Sequence, residues 1–147
     1  MNIFILDTSP ILAAQYQCDK HVVKMILESA QIMSTIMGGP YKPTHQNHPC
    51  VLWAKASEAN YSWLAVHALA LCAEYTHRYD KRHKCQDVIE GLELPISWPS
   101  KMTPFVQCMP EQYKQVNSVD AYRAYYRNEK AHIAVWSKRD QPAWWSN

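Results

Sequence analysis

Glycine is scarce in this chain of 147 residues, which contains three glycines and nine prolines. An all-β sandwich needs many glycine turns, so the scarcity favours helices joined by stiff proline turns. Long apolar runs are also missing, and the opening MNIFILD lacks the basic start and the apolar stretch of a signal peptide. The sequence therefore predicts no membrane segment and one domain over residues 1–147.

A strong charge of one sign is also missing, because the formal net charge is only +2. This disfavours a protein that coats nucleic acid non-specifically, but it leaves room for a local basic patch. The five cysteines include no CxxC pair, which indicates free thiols in a reducing bacterial cytoplasm. Markers of P-loop hydrolysis, Rossmann cofactor binding, serine esterase chemistry and zincin proteolysis are absent, and no cofactor is expected.

The apolar periodicity predicts a mainly α protein, a single compact helical domain with two long helices, a C-terminal helix and at most one short N-terminal strand. Residues 2–6 form either that strand or an extended arm. The first helix spans about 10–37, either continuous or broken near Cys18, and the sequence GGP ends it. The second helix spans about 49–79. The last helix is predicted to follow a Ser118 cap, over 119–136.

The stretch DKHVVKMILESAQ places His21, Lys24, Glu28 and Gln31 along one stripe of the first helix. A surface ion pair between Lys24 and Glu28 is the ordinary interpretation. Histidine and glutamine are less typical of a solvated face, which favours half of a site. If the stripe is partly buried, Lys24 keeps Glu28 ionised and His21 carries a proton near neutral pH.

A second mixed stripe follows the second long helix, where aromatic and ionisable side chains alternate on a face that should point inward. Two such stripes favour one shared polar cleft over two unrelated surface patterns. Six tryptophans and nine tyrosines beside two phenylalanines suit a wet pocket in which rings stack on a base, although packing in the core explains most of them equally well. The residues of this stripe are Trp53, Asn60, Trp63, His67, Leu71 and Glu74.

The loop sequence THQNHPC brings His45, His48 and Cys50 close together along the chain. This spacing is compatible with zinc, but no matching pair of ligands stands elsewhere at helix spacing, and the sequence predicts no metal. Imidazoles that bind a phosphate or a base edge are the preferred interpretation. The local alternative is that His48 caps the next helix, with Pro49 in its first position.

The stretch EYTHRYDKRHK concentrates positive charge in an otherwise nearly neutral chain. Glu74 and Arg78 are spaced for a helical ion pair, and Lys81 and His83 follow them. Such a patch beside tyrosines would meet an anionic nucleotide or a nucleic-acid backbone. A solvated helix end is the alternative, because basic residues favour a helix C-terminus on dipole grounds alone.

The chain resembles a group of small helical proteins of large tailed phages. The motifs that carry this resemblance are FILDTSPILAAQ, CDKHVVKMILESAQ, PTHQNHPCVLWA, EYTHRYDKRHK, QCMPEQY and AYRAYYRNEKA, which together run nearly end to end. This similarity implies a phage protein that acts in the bacterial host cytoplasm. It implies little about the chemistry.

A weaker resemblance is to the phage pyrimidine-dimer DNA glycosylases, which are also single helical domains of similar length with an aromatic, basic C-terminal tail. These enzymes attack the sugar of the damaged nucleotide with the α-amine of residue 2 after removal of Met, helped by a helix-borne glutamate. Glu28 matches that glutamate. Residue 2 here is Asn, before which the initiator Met is normally kept, so another amine such as Lys24, or water activated by Glu28, is an alternative.

The leading hypothesis is one cleft for a nucleotide or nucleic acid, in which an N-glycosidic or phosphodiester bond is cleaved. Glu28 is the general base in this hypothesis, and His21 or His48 is the general acid. Lys24, Arg78 and Lys81 hold phosphate, while Trp53, Trp63 and Tyr75 stack on a base. The predicted ligand-binding set is Asp19, Lys24, Gln31, His45, Asn60, Trp63, His67, Glu74, Arg78, Lys81 and His83.

Two rival functions fit the same sequence. A non-catalytic phage protein that sequesters a bacterial signalling nucleotide, and so counters host defence, would use the same cleft. A protein of the interaction class would use its polar stripes only to organise its core, and this predicts that the candidate residues are dispersed. The sequence does not indicate an oligomeric state.

Overall fold

The computed structural model describes residues 1–92 and 99–146, and these ranges are helical without a strand. The prediction of a mainly α protein is confirmed. Single 3-10 turns lie at Glu111–Tyr113 and Ala131–Ile133. The helices are Pro10–Tyr16 (α1), Asp19–Met37 (α2), Pro49–Ala56 (α3), Glu58–Tyr79 (α4), Gln86–Glu90 (α5) and Ser118–Glu129 (α6). Residues 93–98, part of the proline-rich stretch of sequence between α5 and α6 (the connector), lie outside the described residues.

The first predicted helix is broken before Asp19, as one of the two sequence alternatives required. Ser9 caps α1 by accepting the N–H of Leu12, and Pro10 occupies the first turn. Gln17 leaves the helix with extended backbone. Gly38 ends α2 in the left-handed conformation (φ 69°), as the sequence GGP predicted.

The second predicted helix is two helices, because Ser57 interrupts it. Ser57 has extended backbone (φ −155°, ψ 159°), and its hydroxyl accepts the N–H of Asn60 at 3.1 Å. It is thus the N-cap of α4. The prediction of one unbroken helix over 49–79 was wrong at this position.

The last helix is shorter than predicted. Asn117, not Ser118, caps α6, since its side chain accepts the N–H of Asp120 at 3.0 Å. The helix ends at Glu129, and Lys130 leaves it with φ −116°. The predicted continuation to residue 136 was therefore wrong.

The N-terminal arm, residues 1–8, runs extended through the interior. Ile3, Phe4, Ile5 and Leu6 are each at most 4% exposed, so apolar groups surround both faces of the arm. Side chains from two distant elements bind its carbonyl groups: Gln17 donates to Ile3 and Arg123 donates to Leu6. Of the two sequence alternatives, an extended arm is the one observed.

A buried network centred on Arg78 joins α4 to the break between α1 and α2. The Arg78 guanidinium donates to the carbonyls of Gln15 and Gln17, to Asp19 Oδ1 and to Glu74 Oε2, at 2.8 to 3.0 Å. Gln15 and Gln17 end α1, so their carbonyls would otherwise lack partners. The Arg78 network therefore stabilises the break between α1 and α2.

Within the described ranges, the chain has no helix whose length and apolar character would let it cross a membrane.

Candidate active site

The centre of the candidate site is the contact between the first residue and Glu28 on α2. The α-amino nitrogen of Met1 lies 3.5 Å from Glu28 Oε1, and the Asn2 N–H donates to the same oxygen at 3.1 Å. The Met1 side chain is 2% exposed although the residue as a whole is half-buried, so the exposed part is backbone. An amine and a carboxylate thus meet at the edge of a solvent-accessible pocket.

This pocket has a volume of about 180 Å³. The N-terminal arm forms one wall, and α2 and the residues around the end of α6 form the others. Larger depressions exist, including one of about 610 Å³ beside residues 138–143, but no residue of the predicted site lines that one. The residues that line the smaller pocket are Met1, Asn2, Phe4, His21, Lys24, Met25, Glu28, Tyr125 and Lys130.

His21 is held in one orientation by its neighbours. Its Nδ1 lies 2.6 Å from the Tyr126 hydroxyl, and its ring stacks on Phe4 with 4.3 Å between ring centroids. Burial, together with the charges of Lys130 and Lys24, lowers the pKa of His21 to about 3. The ring is therefore neutral at neutral pH, which differs from the expectation that it titrates there.

Phe4 reaches this stack through an unusual backbone conformation. Its φ is 58°, in the left-handed region that non-glycine residues seldom adopt, and the residue is 4% exposed. Strain of this kind persists where surrounding contacts over-determine it and is enriched at functional sites. Here it places the Phe4 ring between His21 and Tyr125, whose ring centroid is 6.2 Å away.

Positive charge surrounds the pocket. Lys24 lies 3.8 Å from Glu28 Oε2, and its side chain is 70% exposed. Lys130 lies over the rings of Phe4 and Tyr125, at 5.8 and 5.2 Å from their centroids. With the α-amine, these groups present three cations beside one carboxylate, which suits an anionic ligand.

His48 lies near the N-terminal residue, outside the lining of the pocket. Its Nε2 is 3.8 Å from Cys108 Sγ, and that sulfur is 3.9 Å from the Met1 carbonyl oxygen. Burial, the N-terminal ammonium and His45 lower the pKa of His48, while Glu28 acts in the opposite direction. His48 also caps α3 by accepting the Cys50 N–H, as the local alternative predicted.

The polar stripe of α4 is buried, but it does not reach this pocket. Asn60 binds the Trp53 carbonyl and both the hydroxyl and the N–H of Thr103. Trp63 Nε1 donates to the Thr8 carbonyl at 2.9 Å, and Trp53 packs in the core. These side chains hold the arm and the connector in place.

His67 is fully buried against the end of the arm. Its Nδ1 donates to the Pro10 carbonyl at 2.9 Å, and its Nε2 accepts from Gln17 at 3.1 Å. Burial lowers the pKa of His67 to about 4, so the ring is neutral. The ring is thus hydrogen-bonded to the Pro10 carbonyl and to the Gln17 amide. Trp63 stacks on it, with 5.0 Å between the ring centroids.

Three more predicted site residues belong to the Arg78 network. Asp19 accepts from Arg78 and from Ser137, and Glu74 accepts from Arg78 and Arg139. Arg78 is 4% exposed, so it presents no free cation to a phosphate. The structure therefore brings Asp19, Glu74 and Arg78 together, but away from Glu28.

The remaining predicted residues are not among those that line the pocket. His45 is exposed and bonds to the Thr44 hydroxyl, and Lys81 is exposed in the turn after α4. His83 is buried beneath Tyr75 and accepts the Cys85 N–H. Gln31, one turn beyond Glu28, is half-buried and is not among the residues that line the pocket. Of the fourteen predicted residues, only His21, Lys24 and Glu28 line the pocket, and His48 lies nearby.

Sequence reasoning missed the half of the site that comes from outside α2. The α-amine of Met1 was not considered, because the sequence comparison concerned only the amine of residue 2. Tyr125 and Tyr126 lie in the predicted last helix, but no pattern in the sequence links them to His21. Lys130 and Cys108 gave no local signal, because Phe4 and Met1, which they contact, lie more than 100 positions earlier in the chain.

The arrangement is that of a small helical protein with an amine beside a carboxylate, in a pocket with a cationic rim. A family model described as pyrimidine dimer DNA glycosylase matches residues 1–87. The chain belongs to this family, which makes it a DNA-glycosylase-like protein with nucleic acid as its class of partner. The matched residues include Glu28 and His21 but not α6. Comparisons with curated proteins and with solved structures give no match.

Proposed function

We propose that this protein is a DNA glycosylase that cleaves the N-glycosidic bond of a damaged pyrimidine through an amine at the N-terminus. The observation that carries the proposal is the distance of 3.5 Å between the Met1 α-amine and Glu28 Oε1. If Met1 is removed, the Asn2 nitrogen becomes the α-amine, and it lies 3.1 Å from the same oxygen. Either N-terminus therefore presents an amine to Glu28.

The chemistry requires a neutral amine, because an ammonium has no lone pair for attack. Glu28 is placed to take the proton from the Met1 ammonium, after which the nitrogen attacks C1′ of the damaged nucleotide and displaces the base. The C1′–O4′ bond then breaks, O4′ takes the proton that Glu28 accepted, and the nitrogen is left in an iminium bond to C1′ of the opened sugar. Glu28 is 8% exposed, so little water competes for its carboxylate.

The α-amine is a better candidate than Lys24. Lys24 Nζ is the other amine near Glu28, but it lies 3.8 Å from Oε2 on a side chain that is 70% exposed. A mobile exposed chain loses more entropy when it is positioned for attack. Lys24 is better suited to hold a phosphate of the bound strand, together with Lys130.

His21 fits a hydrogen-bonding role in this proposal. The Tyr126 hydroxyl occupies Nδ1, so Nε2 is the ring nitrogen left for a hydrogen bond to the substrate. His48, beside the N-terminal residue, remains the candidate for general acid.

The other sequence-based expectations stay predictions. Among them are ligand-binding roles for the residues of the Arg78 network and of the α4 stripe, an origin in a phage, and action in the host cytoplasm. The rival function, sequestration of a signalling nucleotide, is distinguished by the absence of turnover.

Incubation with duplex DNA that carries one cyclobutane pyrimidine dimer tests the proposal. We expect a cleaved glycosidic bond at the dimer and no product from the matched undamaged duplex. Glu28→Gln should bind the damaged duplex and release no product. Damaged DNA recovered unchanged from the wild-type protein at high enzyme concentration would overturn the proposal and favour the binding function.

A further inference from the structure

We propose that His48, Cys50 and Cys108 form a binding site for Zn²⁺ or a similar soft divalent cation beside the N-terminal residue. Each side chain offers one ligand atom, and the three atoms lie within 4.8 Å of one another. Imidazole and thiolates are the ligands that such cations prefer. This inference does not rest on the proposed glycosylase function, and a cation bound to His48 would prevent this residue from acting as the general acid.

The three ligands need only a small movement to surround a cation. Bonds of about 2.0 Å to nitrogen and about 2.3 Å to sulfur place tetrahedral ligand atoms about 3.3 to 3.8 Å apart. The observed distance between His48 Nε2 and Cys108 Sγ is 3.8 Å. Three protein ligands leave a fourth position for water, as in zinc sites that are open to solvent.

The surrounding structure holds Cys108 in place. The Cys108 N–H donates to the Tyr122 hydroxyl at 3.1 Å, and its carbonyl accepts from the Asn2 side chain at 2.8 Å. Tyr122 in turn donates to the Val106 carbonyl at 2.7 Å. Cys50 lies in the first turn of α3 and is fully buried, so both sulfurs belong to ordered, packed segments.

Cysteine binds metal ions as the thiolate, so binding of the cation releases the protons of the Cys50 and Cys108 thiols.

Binding also changes the protonation of His48. Its Nδ1 accepts the Cys50 N–H at 3.1 Å, so the neutral ring carries its proton on Nε2, which points toward Cys108. A cation on Nε2 displaces that proton, which moves to Nδ1, and the cap on the Cys50 N–H is then lost. The amide signal of Cys50 should therefore shift when the cation binds.

Titration of the reduced protein with Zn²⁺, against a chromophoric chelator, tests the site. We expect one Zn²⁺ per chain, no binding of Mg²⁺, and a thiolate-to-metal charge-transfer band when Co²⁺ replaces Zn²⁺. Cys108→Ala and His48→Gln should each weaken Zn²⁺ binding by at least about 100-fold, beyond the effect of losing a supporting residue. Helical content by circular dichroism shows whether each variant folds.

Two variants outside the cluster serve as controls. Cys85→Ala removes another buried thiol, and His45→Gln removes the neighbouring histidine of the same loop. Zn²⁺ binding should be unchanged in both. If His48→Gln loses the cap of α3 and does not fold, the Zn²⁺ affinity of Cys108→Ala tests the site, because Cys108 lies in a loop and caps no helix. Wild-type affinity in Cys108→Ala, an equal loss in either control, or no stoichiometric binding would overturn the inference.

Discussion

The α-amino nitrogen of Met1 lies 3.5 Å from Glu28 Oε1, although 27 positions separate the two residues in sequence. The buried arm makes this contact, because it brings the start of the chain across the core to the middle of α2. The same carboxylate accepts the Asn2 N–H. Glu28 therefore positions the N-terminus and lies close enough to accept a proton from the Met1 α-amine.

Replacement of Glu28 by Gln should reduce glycosidic cleavage by about 10² to 10⁴-fold, the usual effect of losing a general base. Gln keeps the acceptor for the Asn2 N–H but carries no charge, so DNA binding and folding should persist. Single-turnover kinetics on dimer-containing DNA measures the effect. Glu90→Gln, at an exposed ion pair with Arg82, is the matched control. Equal rates in the two variants would show that Glu28 has no chemical role.

Removal of either lysine at the pocket should weaken DNA binding without changing its preference for damage. Lys24→Ala and Lys130→Ala should each lower the slope of log affinity against log salt concentration by about one, because each loses one phosphate contact. Fluorescence anisotropy at several salt concentrations gives the slopes. Lys55→Ala, on the exposed end of α3, should leave the slope as in the wild type. An unchanged slope in both pocket variants would place the DNA elsewhere.

Arg78 should prove essential for stability. Arg78→Met leaves Asp19 and Glu74 with one partner fewer in a buried setting, which typically costs about 3 to 5 kcal/mol. Lys81→Met, three residues later in the exposed turn, should change the free energy of unfolding by less than about 0.5 kcal/mol. Urea unfolding measures both. If the free energy of unfolding changes as little in Arg78→Met as in Lys81→Met, the Arg78 network contributes little to stability.

Stability should fall as the pH is lowered from 7 to 5. Burial lowers the pKa of His67 to about 4 and that of His21 to about 3, whereas both rings titrate near 6.5 in the unfolded chain. The unfolded state therefore binds more protons between these values, and each ring accounts for a loss of about 2 kcal/mol by pH 5.

Urea unfolding at several pH values tests this dependence. His67→Gln should reduce the loss between pH 7 and 5 by about 2 kcal/mol, whatever its effect on stability at pH 7. His77→Gln, on the exposed side of α4, controls for the substitution itself. If the free energy of unfolding of His67→Gln falls with decreasing pH as steeply as that of the wild type, the buried His67 ring is not the group that titrates.

Local signals predicted the helices well where capping residues mark them. Ser9 and Pro10 begin α1, His48 and Pro49 begin α3, and Gly38 ends α2. The break at Ser57 was missed because serine is tolerated inside a helix and apolar residues continue on both sides of it.

The stripe along α4 was predicted to face inward, and its side chains are buried. Many of their hydrogen-bond partners are backbone groups. His67 binds the Pro10 carbonyl, and Trp63 binds the Thr8 carbonyl. Residue types carry no signal for such partners, so the sequence alone did not predict these bonds to the backbone. Cys108 was missed for a related reason, since only the fold brings it to His48 and Cys50.

Reduction with borohydride during the reaction tests the central claim most directly, because it converts an imine into a stable bond between the protein and the DNA. We predict a covalent adduct with dimer-containing DNA whose modified atom, located by mass spectrometry of the digested protein, is the N-terminal α-amine. A short peptide added before Met1 should abolish the adduct, and the same peptide added after the C-terminus should not. An adduct on Lys24, or dimer cleavage without any adduct, would contradict the account.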